Sequence, residues 1–157
     1  MNDSSKRIAA ATAIATSIAI PAEGLRQMAY YDPPGILTVC MGHTGADVDT
    51  KKKYSLTECN QYLTEDMQKA VAHVERCVPG LPQNVLAAFS DAVYNLGPTI
   101  ACNKSVSTAA RYLASHNYTR ACLELPKWNK ARVAGVLVPL PGLTNRRQTE
   151  MQICLKE

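Results

Sequence analysis

The residues best placed to do chemistry are two carboxylates, Glu23 and Asp32, with the hydroxyl of Thr38 six positions beyond Asp32. Hydrolysis of a bond between two sugars needs such a set. One acid protonates the leaving oxygen, while a carboxylate on the other side activates water or attacks the sugar. Glu23 ends an apolar stretch, Asp32 stands beside Pro33, Pro34 and Gly35, and Thr38 lies in the β-favouring run Ile36 to Cys40. The two acids therefore fall on different elements and can face each other across a groove, with Thr38 able to orient a water held by Asp32. Spacing alone leaves a plainer reading open, in which Asp32 is only a turn residue and Glu23 an ordinary exposed acid.

The elements that must position these groups are legible as patterns. Glu23 to Ala29 is expected to continue a helix, and Tyr30 to Cys40 to form a small hairpin bent at Pro33, Pro34 and Gly35. Gly42, His43, Thr44 and Gly45 read as the next turn, and Asp47 to Lys53 as a polar surface segment. Ser55 and Glu58 form a capping box, with Tyr54 and Cys59 placed as a hydrophobic staple across it. The long helix that follows buries Cys59, Tyr62, Leu63, Met67, Ala70, Val71 and Val74 and stops at Pro79 and Gly80. Pro82 opens another helix, apolar on much of its circumference and therefore central, which Gly97 and Pro98 end. Shorter helices are expected at Ser107 to Ala114, Asn117 to Leu125 and Thr144 to Leu155, and Val133 to Gly142, with Pro139 and Pro141, reads as a loop. The predicted class is α+β, mainly helical, with a small N-terminal β-hairpin lobe and a larger helical lobe around a groove.

A chain of 157 residues, 46% hydrophobic and without repeats or low-complexity tracts, is sized for one compact domain. The net charge of +4 favours polyanionic surfaces without choosing among nucleic acid, phospholipid and bacterial wall. Lys51, Lys52 and Lys53, and the looser group Lys127, Lys130, Arg132, Arg146 and Arg147, are expected to be mainly solvated. Six cysteines with no C-x-x-C pair fit disulfides, and hence an oxidising compartment, better than zinc. Buried free thiols in a cytosolic protein are the alternative. Six cysteines allow 15 connectivities; the pairing expected is Cys40 with Cys59, which would tie the hairpin to the long helix.

Lys6 and Arg7 precede the uncharged run IAAATAIATSIAI from Ile8 to Ile20, closed by Pro21 and Ala22. This is the layout of an export signal. It is too short and too rich in Ala, Thr and Ser for a secure anchor, since a span takes about 20 predominantly apolar residues. Three readings stay open: a signal cleaved after Ala22, a retained and weakly held signal anchor that keeps Glu23 on a continuing helix, or the buried first helix of a soluble domain. On the second reading residues 1–22 form an export segment and 23–157 the catalytic domain.

The stretch EGLRQMAYYDPPGILTVCMGHTG, Glu23 to Gly45, resembles the catalytic segment of phage-type lysozymes of glycoside hydrolase family 24. The likeness rests on Glu23 and Gly24, Tyr30 and Asp32, Gly35, Thr38, and Gly42, His43 and Thr44. It continues in DAVYNLG at Asp91 to Gly97, in Trp128, and in GLTNRRQTEMQICL at Gly142 to Leu155. The resemblance implies an endolysin that hydrolyses the β-1,4 bond between N-acetylmuramic acid and N-acetylglucosamine of peptidoglycan and lyses the host. Glu23 would be the general acid, keeping its proton through burial beside apolar residues. Asp32 and Thr38 would position the attacking water, as the family usually does with inversion. It also implies that His43 is structural, paired with Asp66. Asn95 and Arg147 are left outside the catalytic set, as packing or capping residues.

No cofactor and no metal are expected. The partner is the glycan strand, with the host export machinery and inner membrane engaged through residues 8–20, no nucleic acid, and a monomeric state. The apolar run and the cysteines resemble the signal-arrest-release subgroup, which implies a host periplasmic enzyme first tethered and then released, or a cytoplasmic one if the run is only a buried helix. Two rival functions remain: a lytic transglycosylase that needs no Asp32, and a non-catalytic wall-binding or membrane-active protein.

Overall fold

The computed structural model describes residues 1–32 and 35–156, so the bend expected at Pro33 and Pro34 lies outside the described residues. Helix α1 (Asp3–Ala22) starts on Asn2, whose side chain accepts from the Ser5 N–H at 2.8 Å. Its buried side is made of small residues one turn apart, Ala11, Ala15 and Ala19, with Thr12 and Ile18. The Thr12 and Thr16 hydroxyls donate back to the carbonyls four residues earlier, so their burial leaves no orphan donor.

The chain then departs from the expected helix at Glu23 to Ala29. Pro21 has no N–H to continue the ladder, Glu23 adopts extended backbone, and Arg26–Tyr31 is strand β1. Strand pairing overrides local helix propensity here. β1 pairs antiparallel with β2 (Leu37–Cys40), Tyr30 opposite Thr38, through a register shift between Arg26 and Tyr30. The shifted stretch finds other partners: Gln27 exchanges hydrogen bonds with Tyr54, and Met28 bridges to Lys53. β3 (His43–Thr44) completes the sheet in the order β1-β2-β3, at the place read as a turn.

Helix α2 (Leu56–Cys77) opens on the Ser55–Glu58 capping box and buries Cys59, Leu63, Met67, Ala70, Val71 and Val74. Helix α3 (Gln83–Leu96) is buried at every position from Val85 to Val93, including Ser90 and Asp91. It is the central element, and α1, α2 and α7 (Pro141–Cys154) all pack on it. Gly97, at φ 87°, lets the chain leave α3. Helices α4 (Thr99–Cys102), α5 (Thr108–Ala114) and α6 (Tyr118–Glu124) follow, then a 3-10 turn at Leu125–Lys127.

The segment read as a loop from Val133 to Gly142 is instead a hairpin and a helix start. β4 (Lys130–Val133) pairs with β5 (Val136–Pro139), and α7 begins at Pro141. Ala134 and Gly135 both have positive φ, 49° and 80°, the two-residue turn that suits the twist of a hairpin. Pro139 pairs with Lys130 at the end of the ladder, where a missing N–H costs little.

All six cysteines pair, in three bridges. Cys40–Cys59 ties β2 to α2 as expected; Cys77–Cys102 ties α2 to α4, and Cys122–Cys154 ties α6 to α7. Of the charges read as solvated, Lys51, Lys52 and Lys53 are exposed, but Arg146 and Arg147 are buried.

Candidate active site

Glu23 is the first residue past α1. Its N–H still donates to the Ala19 carbonyl at 2.9 Å, while its own φ of −95° and ψ of 137° turn the chain away from the helix axis. The side chain is 22% exposed, and its neighbours are polar instead of the apolar ones the sequence suggested. Arg146 Nη1 on α7 donates to Glu23 Oε1 at 2.6 Å. The other oxygen, Oε2, faces Gly42: a Cβ added there would stand 3.6 Å from both Glu23 Oε2 and the Tyr94 hydroxyl oxygen.

Arg146 is itself held from α3. Its Nε and Nη2 donate to Asp91 Oδ2 and Oδ1 at 2.9 and 2.8 Å, and Asp91 is fully buried. Burial works against the guanidinium charge, but the Asp91 and Glu23 carboxylates outweigh it and hold Arg146 more firmly protonated than a free arginine. Three residues along α3, the Tyr94 hydroxyl donates to the Met41 carbonyl at 2.5 Å. Burial and then the Glu23 charge push this hydroxyl above its ordinary range, so Tyr94 stays a donor. Next along α7, Arg147 and Glu150, a turn apart, form a fully buried pair at 2.5 Å. Burial and the neighbouring Asp91 push the Glu150 carboxyl well up, against the pull of Arg147.

Asp32 and Thr38 come together. The Ile36 N–H donates to Asp32 Oδ1 at 2.7 Å, the Asp32 N–H donates to the Ile36 carbonyl, and the Gly35 N–H donates to the Asp32 carbonyl. The Thr38 hydroxyl lies 3.0 Å from the Ile36 carbonyl and 3.4 Å from Asp32 Oδ2. Thr38 is 3% exposed, so its position is fixed by packing.

His43 fastens this sheet to α2. Its Nδ1 is 2.7 Å from Asp66 Oδ2, its Nε2 3.2 Å from both Asp47 oxygens, and its ring stacks on Tyr62 at 3.9 Å. The expected partner Asp66 is thus present; Asp47 and Tyr62 are additions the sequence did not reveal.

Comparison with known proteins decides the relationship. The model of the family described as phage lysozyme matches residues 21–150. The chain belongs to the phage lysozyme family. The SAR-endolysin of Pseudomonas phage phiKMV is 33% identical over 99% of this lysozyme and 94% of the relative. An endolysin from Escherichia coli O157:H7 phage FAHEc1 superposes with a TM-score of 0.77 at 32% identity, covering 90% of each chain. The muramidase domain of SpmX from Asticaccaulis excentricus gives a TM-score of 0.79 at 25% identity, covering 91% of this chain and 95% of that domain. This lysozyme is therefore a glycoside hydrolase of the muramidase type acting on bacterial peptidoglycan.

What sequence reading missed around Glu23 is the trio Asp91, Tyr94 and Arg146. A signal was present in the acid itself: Asp91 interrupts a helix apolar almost all round, and a carboxylate buried there needs a cation.

Proposed function

We propose that Glu23 is the general acid of this lysozyme and that Asp32 and Thr38 hold the attacking water. The observation that carries the reading is the division of labour at the Glu23 carboxylate. Oε1 is occupied by Arg146, which leaves Oε2, beside Gly42 on a side chain that is 22% exposed, to carry a proton to the glycosidic oxygen. Asp32 has one oxygen tied down by the Ile36 N–H and the other near the Thr38 hydroxyl, so a water there would meet an acceptor and a hydroxyl at once. The water then attacks the sugar carbon as the bond to the leaving oxygen breaks, and its proton passes to Asp32.

The test is digestion of purified peptidoglycan with mass analysis of the new ends. Wild type is expected to leave reducing N-acetylmuramic acid ends. Glu23→Gln should lower turnover by about 10²–10⁴-fold with wall binding retained, and Asp32→Asn should also collapse it. Anhydro-sugar ends, or an active Asp32→Asn, would point to the transglycosylase instead.

We further propose that residues 1–22 deliver the enzyme to the host periplasm, tethered to the inner membrane before release, and that docked α1 belongs to the released form. The uncharged run Ile8 to Ile20 and the full-length match to a SAR-endolysin support this reading, although no helix among the described residues is long and apolar enough to cross a membrane. Fractionation with export blocked is the check: a cytosolic protein with undiminished lysis would refute it.

A further inference from the structure

A general acid at Glu23 faces a difficulty. Arg146 donates to it at 2.6 Å, and a guanidinium that close favours the carboxylate, the form that cannot give a proton. A counterweight stands directly behind the arginine. Asp91 grips Nε and Nη2 of Arg146 from a fully buried site on α3, so the guanidinium facing Glu23 is already paired.

We propose that Asp91 is a positioning residue of the reaction: it cancels the Arg146 charge felt at Glu23, aims Nη1 at Oε1, and thereby sets the upper pH limit of catalysis. The inference rests on the reading of Glu23 as the general acid.

The charges around Glu23 come from every element packed there. α7 supplies Arg146, Arg147 and Glu150, and α3 supplies Asp91 and Tyr94. α2 supplies Asp66, whose charge reaches Tyr94 together with that of Glu23. On the sheet, Asp32 is bonded to the Ile36 N–H and His43 lies between Asp47 and Asp66. The charged residues of α1, Asp3, Lys6 and Arg7, sit at the far end of a 20-residue helix, roughly 30 Å long by its rise. Whichever protonation state Glu150 adopts, neutralising Asp91 makes the cluster one charge more positive and disfavours protonated Glu23. The sign of the effect is therefore fixed. An ordinary buried ion pair would make Asp91 matter for stability only, with no bearing on pH dependence.

The test uses the full chain on purified peptidoglycan, with initial rates of muropeptide release from pH 4 to 9 at constant ionic strength and the melting temperature of each variant. Asp91→Asn should move the alkaline limb of the profile to lower pH by about 1 unit or more, leaving activity largely recovered in acid. Asp91→Asn combined with Arg146→Gln, which removes both charges, should return the limb close to its wild-type position. A folded Asp91→Asn whose limb does not move, or which loses activity equally at every pH, overturns the proposal. If Asp91→Asn does not fold, the position of the limb in the double variant decides, at whatever rate that variant retains: a wild-type limb supports charge cancellation, and a shifted limb overturns it. Glu23→Gln serves as the separate control. Activity surviving in that variant would remove Glu23 as the acid, whereas the other failures remove only the part given to Asp91.

Discussion

Gly42 borders Glu23 and is held in a backbone conformation that suits glycine. Its φ of 84° lies where an L side chain is strained, and a Cβ there would abut Glu23 Oε2 and the Tyr94 hydroxyl. Gly42→Ala is expected to cost about 1–2 kcal/mol of stability from the backbone alone. The 3.6 Å from that Cβ to Oε2 is ordinary van der Waals contact, so a folded Gly42→Ala should keep most of its turnover. Thermal melting and muropeptide release measure the two effects separately. At this scale Glu23, Asp32, Thr38 and His43 were readable because each lies in a short stretch with a recognisable order of residue types. Arg146 and Arg147 were misread as surface charges because α7 is polar in sequence. Only the buried carboxylates Asp91 and Glu150, 55 and 3 residues away from their partners, make burial of two arginines tolerable. A local window cannot show the first of those pairings.

Among the elements, α1 is held at its start by a polar clasp as well as by its alanines. Arg7 donates to both Glu75 oxygens on α2 and to the Leu81 carbonyl, and the Gly80 N–H adds a further bond to Glu75. Burial raises the Glu75 carboxyl, but these donors together bring it below its ordinary value. The folded form therefore binds this proton less readily than the unfolded chain. The clasp stabilises fully above the unfolded carboxylate range and loses its contribution as pH falls through the lower folded value. Protection from hydrogen exchange across residues 3–12, taken relative to the intrinsic rate at each pH, should fall in acid for wild type. Glu75→Gln should lose about 1 kcal/mol near neutral pH, and the acid-induced loss of protection should shrink. The helices α2 and α3 were legible from periodicity and caps. β1 and the β4–β5 hairpin were not, because their pairing partners, and the positive φ of Ala134, lie outside anything that propensity encodes.

For the molecule as a whole, the three bridges close loops of 19, 25 and 32 residues' separation, and each is worth about 3–4 kcal/mol on a chain-entropy account. The one nearest the chemistry fixes Cys40, whose φ is 60°, between Thr38 and Gly42. Its removal should raise exchange in the sheet more than in α3, which hydrogen-exchange mass spectrometry resolves. That cysteines pair was legible from their number and spacing, but two of the three partners were not, since pairing depends on the packing of α4, α6 and α7. The order of the bridges along the chain has a consequence for synthesis. Cys40–Cys59, Cys77–Cys102 and Cys122–Cys154 join neighbours in sequence, and no loop encloses or crosses another. A chain entering an oxidising compartment N-terminus first can therefore seal each ring as its second cysteine arrives, before the next pair emerges. Proofreading by disulfide exchange becomes dispensable, and a reduced chain given only a mild oxidant should reach the native pairing directly, with mixed rings a minor fraction on non-reducing peptide mapping.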